Sequence, residues 1–397
     1  MPYQIAKERL THLHSKYEKY YPAAFFIAGF IFDIVTLDRI DNIYMILQQA
    51  IYIIFVGYVL FFQTLEKTGH FQPQKMTSFF GRHFNKMWRY NNEALHFVLG
   101  SLLSVYFLFY FVSSSLAVSF IFLVAMFAIL VANEMPSLQL KGPWLKYILY
   151  WLCIFSFFSV LVPIAIGFTN VFTLITAVAL GLGMSYGLYN AYDRKFTAPV
   201  EKPVLPLITH VSEPRPAHEE VPLLQPIDLK RNVVGPAVGV AATLLLLYFL
   251  KLLPPLPLSI QYIGVYQTIE KQGDKYVLGY DRPWYKFWQY GAQTFNAQPG
   301  DKIYVFARIF SPSTFKDDVV FHWQKYGAQG WQSSDHVKAS IVGGRDQGFR
   351  GYSMKSNFDA GTWRVKVETP DGREIGRITF DVEPAESGPR EFNYDTE

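Results

Sequence analysis

The sequence predicts two structural classes in one chain: a multi-span α-helical membrane domain of about seven helices and a C-terminal all-β immunoglobulin-like sandwich. Two observations predict this division. Hydrophobic residues make up 51% of the 397 residues and charged residues only 17%, and almost all long apolar runs precede Lys251. From Ser259 onward, polar and apolar residues alternate with period two, as they do in half-buried strands.

Apolar runs of about 20 residues, the length that crosses a bilayer, predict the membrane spans. They lie at residues 22–37, 43–65, 94–112, 116–132, 147–167, 171–192 and 233–253. The first span is the weakest because it contains Asp33. It is still expected to insert, since its apolar residues outweigh one acidic side chain at about 3 kcal/mol.

Basic residues in short loops predict the orientation of the helices. Lys and Arg occur in the N-terminal tail and in the loops after the second, fourth and sixth spans. The opposite loops, at 38–42, 113–115 and 168–170, contain a single basic residue, Arg39. With an odd number of spans, this distribution predicts a cytoplasmic N-terminus and a C-terminal domain on the other side.

These patterns divide the chain into six segments. We expect a cytoplasmic tail at 1–21, a six-helix membrane domain at 22–192, a proline-rich cytoplasmic linker at 193–232, a seventh transmembrane helix at 233–253, an extracytoplasmic β-sandwich domain at 259–385 and a disordered tail at 386–397. The linker has seven prolines and no long apolar run. Such a composition is typical of an extended or disordered tether.

Asp33 is the acidic residue that stands out within a predicted span, where charged side chains are costly and often functional. It lies close in sequence to Asp38, Arg39 and Asp41 at the outer end of the first span. A local ion pair of Asp33 or Asp38 with Arg39 explains the cluster without a function. The alternative is an entrance for an ion or a substrate, and with it a transporter-like protein.

Ser185 is a second candidate in the membrane domain, within the sequence Gly-Met-Ser-Tyr-Gly at 183–187. The pattern matches the elbow of serine hydrolases, but that elbow needs a strand, a turn and a helix, and these residues lie in a predicted span. We interpret these glycines, like Gly235 and Gly239, as surfaces for close helix packing. A membrane-embedded serine hydrolase using Ser185, with His96 as its base, is the alternative.

The sequence contains no motif of the common nucleotide-binding, metal-binding or metalloprotease sites. Phosphate-binding glycine loops, zinc-protease motifs and metal-spaced cysteines and histidines are absent, and the single cysteine, Cys153, lies in an apolar run. The net charge is only +4, and no basic block is interleaved with aromatic residues. We therefore predict a non-enzymatic protein with no cofactor, no metal and no nucleic-acid partner.

The β region contains about seven alternating segments, the number and spacing of an immunoglobulin-like sandwich, and a tight hairpin at 369–373. It also contains an aromatic-rich segment at 281–290, which includes Trp284 and Trp288. If this segment is helical, the two tryptophans share a face. Packing against the sandwich, contact with the membrane interface and stacking on a sugar are the three interpretations.

Three segments of the β region resemble one family: FHWQKYGAQGW from Phe321, IVGGRDQGFRGYSMKS from Ile341 and GTWRVKVETPDGREIGRITFDV from Gly361. They resemble the bacterial domain of unknown function 2914, and GFIFDIVTLDRID and LVANEMPS look like the membrane region that often accompanies it. The resemblance implies this architecture and a bacterial inner membrane, and it supplies no catalytic residues. Of the matching positions, His322 and Arg350 are polar without an obvious turn or core role, and we take them as binding candidates.

Together these features predict a non-enzymatic cell-envelope protein whose helices anchor it in the lipid bilayer, with a periplasmic β-sandwich that binds a protein or glycan partner. The transporter-like protein and the membrane-embedded hydrolase remain the alternatives. The candidate binding residues are Asp33, Arg39, His322, Arg350, Trp284 and Trp288.

Overall fold

The computed structural model describes residues 31, 33, 35, 39–73, 79–135, 143–197, 228–343 and 348–397. The named α-helices in these ranges are α1 (Ile43–Lys67), α2 (Phe79–Trp88), α3 (Asn91–Val112), α4 (Leu116–Glu134), α5 (Pro143–Ile166), α6 (Val171–Thr197) and α7 (Gly235–Phe249). A π-helical turn, Lys230–Val234, runs directly into α7.

Six helical segments in the described ranges are long and apolar enough to cross a membrane: α1, α3, α4, α5, α6 and the continuous helix Lys230–Phe249. They correspond to six of the seven predicted spans. The first predicted span, 22–37, lies outside the described residues except for Ile31, Asp33 and Val35. Helix α6 continues into the predicted linker as far as Thr197, and residues 198–227 lie outside the described ranges.

Helix α5 lies at the centre of the bundle, where it packs against α1, α3, α6 and α7. Its buried Trp151 donates a hydrogen bond to the Val233 carbonyl oxygen at 2.9 Å. Close helix approach occurs at Gly57 and Gly181, where an added Cβ would overlap the Tyr150 and Phe155 rings of α5. These two glycines therefore fix the spacing of α1 and α6 from α5.

The predicted packing role of the other glycines is wrong for the part of the chain that is described. An added Cβ at Gly183, Gly187 or Gly239 would meet no described atom within 4 Å, and at Gly235 it would meet only backbone of the preceding turn. The Gly-x-x-x-Gly spacing indicates a smooth helix surface. Which helix faces that surface depends on tertiary structure, and the spacing does not contain this information.

The C-terminal region is all-β. Its described strands are β1 (Ser259–Tyr266), β2 (Thr268–Gln272), β3 (Lys275–Tyr280), β4 (Thr294–Ala297), β5 (Ile303–Phe310), β6 (Lys316–Gly327), β7 (Gly330–Val342), β8 (Phe349–Lys355), β9 (Gly361–Glu368), β10 (Glu374–Pro384) and β11 (Asn393–Thr396). They form sheets with the orders β1-β5-β8, β4-β10-β9-β6-β7 and β11-β3-β2.

The first two sheets enclose the core of the sandwich, which confirms the predicted fold class. Alternate residues point inward, among them Val305, Phe321, Trp323, Trp363 and Val365, and all five are buried. The indole N–H of Trp323 donates to Ser353 Oγ at 2.9 Å, which joins the two sheets. The seven predicted strands are all present.

Four further strands, β2, β3, β4 and β11, were not predicted. The predicted disordered tail at 386–397 is wrong at its end, because Asn393–Thr396 pairs antiparallel with β3. Strands β2 and β11 are largely exposed, so they lack the apolar alternation from which strands are recognised. Strand β4 is short and lies parallel to the end of β10.

The sandwich packs directly on one end of the helical bundle, and we call this contact the junction. The Lys316 N–H at the start of β6 donates to the Gly167 carbonyl oxygen after α5, at 2.8 Å. The Asp317 carboxylate accepts the Thr169 N–H at 3.0 Å. Ser115, before α4, donates to Glu374 at the start of β10. The loops at 113–115 and 168–170, which the sequence predicts to lie on the non-cytoplasmic side of the membrane, thus contact the sandwich.

The hairpin between β9 and β10 forms the buried centre of the junction. The Arg373 guanidinium donates to the Thr169 carbonyl oxygen at 3.3 Å and to its hydroxyl at 3.1 Å. It also pairs with Asp371 at 2.9 Å and lies 4.7 Å from the centre of the Tyr248 ring in α7. The Tyr248 hydroxyl donates to Asp371. One buried arginine therefore connects the hairpin to the ends of two helices.

Candidate binding surface at the tip of the sandwich

Five aromatic residues lie in the segment between β3 and β4, and we call them the aromatic tip: Trp284, Tyr285, Phe287, Trp288 and Tyr290. All five are exposed, with 88% of Trp284 and 64% of Trp288 accessible to solvent. The segment contains one 3₁₀ turn, Trp284–Lys286, in place of the α-helix considered above. The rings lie outside the sandwich core, although that of Tyr290 packs on the buried Tyr262 ring of β1, with the ring centres 4.5 Å apart.

The tip is held at both ends although its rings are exposed. Arg282 donates to the Gln289 carbonyl oxygen and, at 3.2 Å, to the Tyr280 hydroxyl. After the tip, the Ala292 N–H donates to the Val265 carbonyl oxygen at 2.8 Å. The backbone of the segment is therefore fastened to β1 and β3, and the rings are presented on a fixed loop.

The tip lies at the end of the sandwich opposite the junction. Strand β1 starts at Ser259, close after the last helix, and ends at Tyr266, next to the residues that hold the tip. Eight residues of strand span about 25 Å at roughly 3.3 Å per residue. Strand β10 likewise starts at the junction and ends beside β4. The aromatic tip thus lies at the end of the sandwich that is farther from the helices.

Exposed aromatic rings on a fixed loop are typical of a binding surface. Soluble proteins rarely expose contiguous apolar patches without a function, and Trp and Tyr supply much of the binding energy in protein interfaces. Their flat faces also suit stacking against other rings or apolar faces. The sequence shows the aromatic content of this segment, but the exposure of Tyr285, Phe287 and Tyr290 becomes evident only in the structure.

His322 lies on the outer face of the larger sheet and has defined partners. Its ring stacks on that of His336 in the neighbouring strand, with the centres 3.9 Å apart. Its Nδ1 lies 3.3 Å from Glu368 and its Nε2 lies 2.9 Å from Ser333 Oγ. Burial lowers the pKa of His322. No group of described His, Cys, Asp and Glu residues has a geometry suited to a metal ion.

Arg350 lies in β8 directly opposite Arg308 of β5. Its Nε atom is buried and has no hydrogen-bond partner among the described residues. Arg308 pairs with Glu397 at 2.6 Å, which brings the chain end to this face. Arg350 and His322 lie on different sheets, so the structure does not bring these two candidates into one site.

The two candidates near the first span have structural partners. Asp33 accepts a hydrogen bond from the Ser104 hydroxyl in α3. Arg39 pairs with Asp41 at 3.1 Å, and its guanidinium lies 5.5 Å from the centre of the Phe310 ring in β5. Arg39 thus belongs to the junction. Asp38, considered above as a partner of Arg39, lies outside the described residues.

Ser185 and His96 do not form the Ser–His pair that a hydrolase needs. Ser185 Oγ is buried without a hydrogen-bond partner in the described ranges. His96 Nδ1 lies 3.0 Å from Asn133 Oδ1, and its Nε2 has no partner there. Ser185 in α6 and His96 in α3 are both buried, and His96 is not placed to take a proton from the Ser185 hydroxyl.

In a comparison with known protein families, part of the C-terminal region matches one family. Residues 316–382 match the family described as protein of unknown function (DUF2914). The predicted resemblance is therefore confirmed for this region. The DUF2914 segment begins with β6 and ends in β10, so it includes the core tryptophans and the buried hairpin of the junction. The aromatic tip precedes it. No curated protein matches the chain.

Three solved structures are similar to parts of the chain. An immunoglobulin-like protein from Pseudomonas aeruginosa is 12% identical, and the match covers 32% of this chain and 96% of that chain with a TM-score of 0.20. A β-glucosidase from Listeria innocua is 13% identical (30% and 17% covered, TM-score 0.17). One from Kluyveromyces marxianus is 10% identical (34% and 15% covered, TM-score 0.15). Likenesses at this level carry no argument about function.

Proposed function

We propose that this protein is a non-enzymatic cell-envelope protein that binds a protein or glycan partner through its aromatic tip. Its helices would anchor it in the bacterial inner membrane, with the N-terminus cytoplasmic and the sandwich periplasmic. The observation that carries the proposal is the exposure of five aromatic rings at the end of the sandwich opposite the helices. The hydrogen-bonded junction and the exposed aromatic tip at the opposite end of the sandwich together suit a protein that presents a binding site away from its membrane anchor.

Three features support the binding function over the alternatives. The junction contains buried, paired charges, so the sandwich is fixed on the helices. Asp33 has a hydroxyl partner within the helical bundle. Ser185 and His96 make no hydrogen bond to each other. A transporter-like role and a hydrolase therefore have less support than a membrane-anchored binding protein.

The binding function is tested with the full chain in lipid nanodiscs, incubated in separate arms with purified cell-wall glycan and with a solubilised envelope-protein fraction. The wild type should retain a component in one arm. The double variant Trp284→Ala/Trp288→Ala should retain it at least about tenfold less, because a tryptophan that is a hot spot of an interface costs about 2 kcal/mol or more when truncated, and about 1.4 kcal/mol is tenfold in affinity.

The matched control is Tyr326→Ala. Tyr326 is 55% exposed, at the end of β6, which β10 and β9 separate from β4 in the larger sheet. Its removal should leave retention unchanged. Retention by the double variant equal to that of the wild type, in both arms, would contradict the proposal. So would retention by the wild type that is no higher than that of empty nanodiscs.

The orientation has its own test. A reporter that fluoresces only in the cytoplasm, fused after Glu397, should stay dark, because the helix before the sandwich would end outside. A reporter fused before Met1 should fluoresce. A bright C-terminal fusion would refute the periplasmic location of the sandwich while leaving the binding test unaffected.

A further inference from the structure

A deep groove opens on the side of the helical bundle between α4 and the continuous helix Lys230–Phe249. Its volume is about 940 Å³, and α5 forms its floor. Helix α4 packs on α3, and α7 packs on α5, so the groove lies between two helices that are supported from elsewhere. Apolar side chains line most of it, including Phe122, Met126, Ile148 and Leu152.

The last helix leaves space for the groove because residues with small side chains recur every four positions on the face that lines it. Gly235, Gly239 and Thr243 line the groove, and residues four apart lie on one face of a helix. No described atom lies within 4 Å of a Cβ built on Gly239. The Thr243 hydroxyl donates to the Gly239 carbonyl oxygen of its own helix at 2.8 Å, so it requires no partner from the groove.

The polar lining residues collect at one end of the groove, where Asp228, Arg231 and Asn232 lie. The Asp228 carboxylate accepts the Arg231 N–H at 3.2 Å and caps the start of the helix. The Arg231 side chain is exposed, and its guanidinium offers several donors in a geometry that suits phosphate oxygens. The positive end of the helix dipole lies at the same place.

Trp144 lies in the lining near this polar end and is half exposed. Tryptophan is enriched where hydrocarbon meets the headgroups. From Arg231 to Leu247 the helix rises about 24 Å at 1.5 Å per residue. One leaflet of hydrocarbon is about 15 Å thick, half of roughly 30 Å. The groove is thus long enough to hold an acyl chain along its whole length, with one charged end at headgroup depth.

From this arrangement we infer that the groove binds one membrane glycerophospholipid, with its phosphate on Arg231 and an acyl chain between α4 and the last helix. Charge complementarity selects this occupant. The exposed Arg231 guanidinium lies at one end of an otherwise apolar groove, and the Asp228 carboxylate beside it is engaged by the backbone N–H of Arg231 at the start of the helix. The site is separate from the aromatic tip, and its existence does not depend on the proposed envelope function.

The test is native mass spectrometry of the full chain, extracted in mild detergent and exchanged into nanodiscs of phosphatidylethanolamine and phosphatidylglycerol before release. The wild type should retain one phospholipid. Gly239→Leu should retain at least tenfold less, because its side chain would fill the open space. Gly183→Leu is the matched control, since Gly183 is also exposed and open but lies in α6, outside the groove. It should behave as the wild type.

The phosphate contact is tested by Arg231→Gln against Arg194→Gln, which removes a basic residue at the end of α6. Arg231→Gln should reduce phospholipid retention several-fold, and Arg194→Gln should not. Millimolar inorganic phosphate should not displace the bound phospholipid. This result would distinguish a lipid site from a site for free phosphate. Equal retention by Gly239→Leu and the wild type, or no lipid on the wild type, would overturn the inference. Loss in Gly239→Leu without loss in Arg231→Gln would overturn the phosphate contact.

Discussion

The two ends of the β-sandwich differ in how they use their side chains. At the junction, charged side chains are buried and paired, as Arg373 is with Thr169, Asp371 and Tyr248. At the tip, large apolar rings are left in solvent. The difference teaches that the junction side chains are arranged to fix the sandwich on the helices, whereas the rings at the opposite end contribute little to the fold.

The largest effect should come from removing the central cation of the junction. Arg373→Ala would leave Asp371 partly buried without its counter-charge, and breaking one partner of a buried ion pair commonly costs about 3–5 kcal/mol. We expect a lower thermal midpoint for the full chain in nanodiscs and faster hydrogen exchange at Thr169. Lys325→Ala, which removes an exposed pair with Asp359, should have a much smaller effect.

An intermediate effect is expected from acid. Burial raises the pKa of Asp371, but Arg373 and hydrogen bonds from Thr369 and Tyr248 outweigh it, so the net pKa lies below the usual value. An aspartate with a lowered pKa in the folded state stabilises the fold above about 3.9, its usual unfolded value. This contribution is lost as the pH falls through the folded pKa.

The acid prediction is checked with Asp371→Asn in nanodiscs. The substitution should lower the unfolding temperature near neutral pH and make it less dependent on pH below about 4. Unfolding curves whose pH dependence in this range matches that of the wild type would show that the hairpin carboxylate does not secure the junction.

The smallest effect on stability should come from the tip. Trp284 is 88% exposed, and substitutions at exposed positions usually change the free energy of unfolding by less than about 0.5 kcal/mol. Trp284→Ala should therefore leave the thermal midpoint unchanged. Trp363→Ala, in the core, should cost about 3–5 kcal/mol. If Trp284→Ala destabilised the protein as much as Trp363→Ala, the tip would be a structural element and the comparison would fail.

The sequence predicts those parts of the fold that alternate or run apolar over many residues. Strands such as β9, where buried Trp363, Val365 and Val367 alternate with partly exposed neighbours, follow from period two. The apolar helices follow from length and hydropathy. Strands β2 and β11 do not, because they bury few side chains, and β11 pairs with β3 across more than 100 positions of the chain.

The candidate binding surface was predictable only in part. The aromatic content between Asp281 and Tyr290 marks the segment, but whether such rings are covered depends on the sheets around them. The surroundings of the glycines in the last helix could also not be predicted from the sequence. Their spacing predicts a smooth surface, while the structure determines that Gly239 faces an open groove. Local sequence indicates the chemistry of a surface, and tertiary structure decides what covers it.

If the proposed function is right, the aromatic tip contacts a partner in the cell envelope. The most direct measurement replaces Trp288 in the full chain with a photo-crosslinking phenylalanine analogue, irradiates living cells and identifies the products by mass spectrometry, with position 326 as control. We predict a discrete adduct with a protein or a glycan fragment from position 288 and none from position 326. Adducts with phospholipid, or the same products from both positions, would contradict the account.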